Sequence, residues 1–130
     1  MARPKLAHPT PKELEVLHIL WEHGSATVRE VLDLLPHNRA YTSVMSLLNV
    51  MFEKKLVART PVGRAFSYTA RYKPDKAQRT MLGDLLTRVF EGSAQTLVAR
   101  LLEQADPSKE ELEAIHRLIE DHQRRKEEKS

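Results

Sequence analysis

The stretch NRAYTSVMSLLNVMFEK, Asn38 to Lys54, constrains the fold most, because it predicts a helix whose two faces need different surroundings. Val44, Leu47, Leu48 and Met51 recur at i, i+3, i+4 and i+7, an apolar stripe of helical period. The other side carries Tyr41, Thr42, Ser43, Ser46 and Asn49. A helix facing only water usually shows Glu and Lys there. Short hydroxyls and an amide suit the base edges of a DNA major groove, which is wide enough to admit a helix. The plainer reading is an amphipathic helix with a Ser/Thr-rich solvent face, and the flanking sequence decides between the two.

Upstream, Thr10-Pro11-Lys12-Glu13 is a capping box with Pro at the first helical position. It opens a helix through Leu14, Val16, Leu17, Ile19, Leu20 and Trp21 that ends at His23-Gly24. Ser25-Ala26 reads as a short extended link. Thr27-Val28-Arg29-Glu30 repeats the capping box and starts a helix through Val31, Leu32 and Leu35 to Pro36. Asn38 is the expected N-cap of the third helix. Three short helices with tight connections meet the needs of a helix-turn-helix unit. The period then changes. Leu56 to Thr60 reads as a strand, Pro61-Val62-Gly63 as a turn and Arg64 to Thr69 as a second strand with Phe66 and Tyr68 on one face. A two-stranded ribbon after three helices is the winged-helix arrangement. Arg59, Arg64 and Arg71 are expected to line it, with Arg64 at the tip.

Charge supports a polyanionic partner for this half. Residues 1–73 hold 11 Lys+Arg against 6 Asp+Glu, while residues 74–130 hold 10 against 12. Between Arg39 and Lys73 stand seven basic residues and one acid, Glu53. Double-stranded DNA is the expected partner, with Arg39, Tyr41, Thr42, Ser43, Ser46, Asn49, Arg59 and Arg64 as the contacting residues. Asn49 has the chemistry to pair with adenine through two hydrogen bonds. Residues 1–9 read as a frayed arm whose Arg3 and Lys5 could reach a phosphate backbone.

The second half is of another kind. Pro74-Asp75 marks the boundary, giving a winged helix-turn-helix domain over 1–73 and a helical domain over 74–130. Leu82, Leu85, Leu86, Val89 and Phe90 predict an amphipathic helix ended by Gly92-Ser93. Leu97, Val98, Leu101 and Leu102 predict another. Ser108 to Glu111 is a third capping box before a helix through Leu112, Ile115, Leu118 and Ile119. The tail QRRKEEKS reads as a fraying, solvated end. Three such helices bury little by themselves, so a two-fold interface is expected to cover Leu82, Leu85, Leu86, Val89, Leu97, Leu101, Leu112, Ile115 and Ile119. Packing back on the first half is the alternative. The fold class expected is mainly α with a small β-hairpin wing: a winged helix-turn-helix followed by a C-terminal helical dimerisation subdomain.

Other function classes find little support. The chain has no cysteine, which excludes disulfides, thiolate metal sites and a Cys nucleophile and fits a reducing cytoplasm. No apolar run approaches the ~20 residues of a membrane span, and MARPKLAHPTPK lacks the apolar core of a signal peptide. A cytoplasmic protein without membrane insertion is expected. The histidines, His8, His18, His23, His37, His116 and His122, form no HExxH pair and no defensible triad. His116 and His122 with Glu113 or Glu120 are a weak metal set, because i, i+6 spacing turns the two away from each other. There is no Gly-rich phosphate loop. Neither an enzyme nor a cofactor is expected.

The segments PTPKELEVLHILWEHGSATVREVLDLLP, AYTSVMSLLNVMFEKKLV, GRAFSYTA and LVARLLEQADPSKEELEAIHRLIE resemble the penicillinase-repressor family of bacterial transcriptional regulators. The resemblance covers most of residues 9–120. It implies a winged-helix half that binds a palindromic operator as a homodimer, a helical half that dimerises, and repression of antibiotic-resistance or stress genes. It also implies a membrane sensor protease pathway that ends repression by cleavage. Met45 and Val50 stand where such a repressor can carry arginine, Lys55 where a glycine is common before the wing, and Arg100-Leu101 in the region of an Asn-Phe scissile bond. The region Arg100 to Asp106 is the expected cleavage region. The competing reading is a winged-helix protein-interaction module that does not read DNA.

Overall fold

Two reciprocal caps fix where the first helices begin. In the computed structural model, which describes residues 9–129, α1 spans Pro11–His23 behind Thr10. The Thr10 hydroxyl accepts the Glu13 N–H at 3.2 Å and the Glu13 carboxylate accepts the Thr10 N–H at 2.8 Å. Thr27 and Glu30 repeat the exchange before α2, Val28–Leu34. Each pair satisfies backbone donors that a helix start would leave open. Arg3 and Lys5 lie outside the described residues.

The link between α1 and α2 is more than a link. Ser25–Thr27 is a strand, β1, and the wing strands are β2, Val57–Val62, and β3, Ala65–Ala70. The sheet order is β1-β3-β2, antiparallel throughout, with Ala26 opposite Tyr68 and Arg59 also opposite Tyr68 on the other side. The expected two-stranded ribbon is thus a three-stranded sheet. Ala26 is buried, which holds β1 in place. Pro61 and Val62 belong to β2 rather than to the turn, and β2 is an edge strand, where a residue without an N–H is tolerated. The turn is Gly63-Arg64, with Gly63 at φ 61, as a two-residue hairpin with glycine first requires.

α3 spans Tyr41–Glu53. Its N-cap is Ala40, in an extended conformation with no side-chain cap, and not Asn38. Arg39, paired to Glu15 at 3.0 Å, holds the connection along α1 and delays the helix start. α3 closes with Lys55 at φ 67, its N–H bonded to the Phe52 carbonyl, and with the Leu56 N–H bonded to the Met51 carbonyl. This is the Schellman arrangement, whose left-handed position glycine fills most often.

The core of this unit gathers Val16, Leu17 and Leu20 of α1, Val31 of α2, Val44, Leu48 and Met51 of α3, and Leu56, Val57 and Tyr68 from the sheet side. Glu13 is buried among them and takes both ends of its carboxylate to Lys54 Nζ, at 3.1 and 3.0 Å. Trp21 Nε1 donates to the Tyr72 carbonyl at 2.7 Å. Ala77, Thr80 and Met81 close over Leu17, Trp21, Leu56 and Tyr72, so the first turns of α4, Pro74–Arg88, belong to this unit.

The chain divides into two compact units, one ending at Gly83 and one beginning at Asp84. The second holds the end of α4, α5 over Ala94–Ala105 and α6 over Lys109–Lys129. Val89 and Phe90 fall past the end of α4, where Glu91 and Gly92 take positive φ and turn the chain. The charged tail continues α6 as helix through Lys129. An Arg124–Asp121 pair at 3.0 Å and lysines at 126 and 129 favour that helix end. None of α4, α5 and α6 buries a residue. Leu82, Leu85, Val89, Leu101, Leu112 and Ile119 are exposed, and Leu86, Leu97 and Ile115 are partly covered.

Candidate nucleic-acid interface

α3 turns by about 100° per residue, which sorts its side chains once Val44, Leu48 and Met51 are buried. Thr42, Ser46 and Asn49 then lie opposite the core. Met45 and Phe52 flank them on the wing side, and Ser43 and Val50 on the α1 side. All of these are exposed. The polar face expected of this helix is therefore its outward face, with the apolar Met45 and Val50 at its edges and the exposed Glu53 closing it at the C-terminal end.

On the α1 side a groove of about 650 Å³ runs beside α3, lined by Lys12, Arg39, Ser43, Ser46, Val50 and Lys54 among others. Two of its cations are already engaged: Arg39 with Glu15 and Lys54 with Glu13. Arg39 thus sits beside the candidate interface with its charge partly compensated. Tyr41 lies at the start of α3 with the Arg29 guanidinium 5.3 Å from its ring centroid. Arg29 is not legible in the sequence as a site residue, because only the packing of α2 against α3 brings it there.

On the wing side, Arg59 is half-buried. Its guanidinium lies 4.0 Å from the Phe52 ring centroid and 4.3 Å from that of Phe66, and Nη1 donates to Asn49 Oδ1 at 3.3 Å. Arg64 is exposed at the hairpin tip. The structure so lines Thr42, Ser46 and Asn49 along one face of α3 and joins Arg59 to that face at Asn49, with Ser43 and Arg39 to one side and Arg64 further out along the wing. Phe52 and Phe66, which periodicity alone does not single out, both stand against Arg59 beside the candidate interface. They are 37% and 39% exposed, and Arg59 covers part of each ring.

Among the described residues no group of His, Asp and Glu is placed to hold a metal ion, and His116 is paired with Glu120 at 3.3 Å. No helix among them is long and apolar enough to cross a membrane.

A wing, a three-helix unit and a polar outward helix stand in one architecture, and residues 9–121 match the family model described as penicillinase repressor. The chain belongs to the penicillinase repressor family. The family is one of transcriptional repressors and not of enzymes. The chain is 25% identical to the penicillinase repressor of Bacillus licheniformis over 126 residues, covering 95% of this chain and 98% of that one. It is 19% identical to the methicillin resistance regulatory protein MecI of Mammaliicoccus sciuri, over 82% of this chain and 89% of the relative. Among solved structures, YusO protein from Bacillus subtilis superposes with a TM-score of 0.50 at 25% identity, covering 88% of this chain and 74% of that one. The fold is the winged helix of these regulators.

Proposed function

We propose that the chain is a homodimeric repressor whose α3 enters the major groove of a palindromic operator, and that it controls antibiotic-resistance or stress genes. The observation that carries this reading is the outward face of α3: Thr42, Ser46 and Asn49 exposed, with Arg59 bonded to Asn49, on a winged helix of the repressor family. Exposed leucines on α4, α5 and α6 support the dimer, because a lone chain leaves them in water. Repression ends, in this reading, through a membrane sensor protease pathway acting on the C-terminal half. The Arg100–Leu101 bond lies inside α5, with Arg100 tied to Glu103 at 3.0 Å, so α5 must unwind before a protease can take it.

A gel shift on the promoter beside the chain's own gene tests the reading. Retarded operator and unretarded scrambled duplex are expected. Asn49→Ala should weaken the operator complex by roughly 1–3 kcal/mol and barely change random DNA. Arg64→Ala should weaken both by similar factors and lower the salt slope by about one unit for each phosphate it no longer neutralises. Equal binding to operator and scrambled duplex would instead favour a winged-helix module that meets proteins.

A further inference from the structure

Arg59 joins the two parts of the interface. It stands on β2, and the rings on either side come from α3, Phe52, and from β3, Phe66. A guanidinium carries donors and no acceptor, so the Asn49 amide can meet it only through its oxygen. The bond at 3.3 Å therefore sets the amide: Oδ1 toward Arg59, Nδ2 left to donate. A cation held over two rings, at 4.0 and 4.3 Å from their centroids, is restricted to few rotamers before it meets a ligand. The amide is oriented before any DNA arrives.

We propose that Arg59 is a positioning residue for Asn49, and that the two read one base pair as a single donor unit. The inference rests on the operator reading above. An asparagine free to turn pairs with adenine by donating to N7 and accepting from the N6 amino group. Here Arg59 takes one of the two lone pairs of the accepting oxygen and fixes the direction in which the amide points. What the unit offers the groove is Nδ2 together with the remaining guanidinium N–H groups. Guanine presents N7 and O6 as adjacent acceptors in the major groove and matches that pattern best. Phe52 and Phe66 then govern base preference without touching a base, through the arginine they hold.

The test is selection of bound sequences from a random duplex pool by the full-length chain, repeated with Asn49→Ala, Arg59→Lys, the double variant, Phe66→Leu and Arg64→Ala. The intact chain should prefer guanine at one position of each half-site by about tenfold or more, within the roughly 5- to 150-fold range of a good base contact. Asn49→Ala and Arg59→Lys should each abolish preference at that same position, and the double variant should lose nothing further. Arg59→Lys keeps the charge, so a mere phosphate contact would survive it. Phe66→Leu should blunt the same preference, whereas Arg64→Ala should lower affinity for all duplexes and leave it intact. A purely structural role for Arg59 would lower binding evenly across the pool. That outcome, or an Asn49-dependent adenine preference that survives Arg59→Lys, would overturn the inference alone. No enriched sequence with the intact chain would overturn the operator reading, and this inference with it.

Discussion

Glu13 does two jobs at one carboxylate. It completes the cap of α1 through the Thr10 N–H and holds Lys54 at the end of α3. It is 1% exposed, while the Lys54 side chain keeps 31% of its surface in water. Glu13→Ala removes half a capping box and strips a partly buried ammonium of its partner. A loss of about 2–3 kcal/mol is expected, below the figure for a fully buried pair because Lys54 can turn to solvent. Urea denaturation should show a lower midpoint at unchanged slope; a loss under about 1 kcal/mol would mean that water replaces the carboxylate easily. Lys55 is the opposite case. Its φ of 67 places a Cβ where a backbone favours glycine. Lys55→Gly should stabilise by roughly 0.5–1 kcal/mol, the relieved strain exceeding the entropy that glycine adds to the unfolded chain. Lys55→Val should destabilise, since a β-branched side chain tolerates that conformation least. Thermal melts of the two variants, moving in opposite directions from the parent, would check both.

At the level of elements, what is legible in the sequence is local. Thr10 with Glu13 and Thr27 with Glu30 lie three residues apart, so the caps show in the sequence and hold in the structure. The stripe of Val44, Leu48 and Met51 is equally local and is buried as its period demands. β1 is not legible, because three residues carry no period and its pairing with β3 joins Ser25 to Thr69 across the whole unit. α3 starts two residues later than an Asn38 cap would place it, because an ion pair to α1, invisible in the sequence, holds Arg39. The Arg59–Asn49 bond depends on how the wing folds back over α3, and no spacing rule encodes it. Among the caps, Glu30 titrates in a defined direction. Hydrogen bonds from the Thr27 backbone and hydroxyl hold its carboxyl below the ordinary range, with His23 adding to the effect. A group lowered on folding stabilises fully above its unfolded pKa and loses that contribution as pH falls through the folded one. Stability relative to Glu30→Gln should then be constant above about pH 5 and shrink below the usual glutamate value near about 4.3. A difference that grows on acidification would contradict the assignment.

For the whole molecule, the question is what covers the second unit. α5 and α6 carry apolar residues at helical spacing, yet Leu101 is 50% exposed, Leu112 42% and Ile119 48%. A single chain gains nothing by keeping that surface wet, and a two-fold partner would remove it from water in matched pairs. The expected consequence is a dimer at micromolar concentration in sedimentation, with a monomer at that concentration contradicting the proposal. Because these leucines are exposed in the lone chain, Leu101→Arg with Leu112→Arg should leave each unit folded while breaking the pairing. The helical content and the melting of the first unit should be unchanged. Operator affinity should fall by a factor on the order of 10² or more, since binding at the second half-site is no longer intramolecular. Affinity for a single half-site should stay as it was. If the double variant sediments as a dimer and binds the palindrome as the parent does, the interface lies on another face. If it is monomeric and still binds the palindrome at parental affinity, the two winged helices do not act as a linked pair.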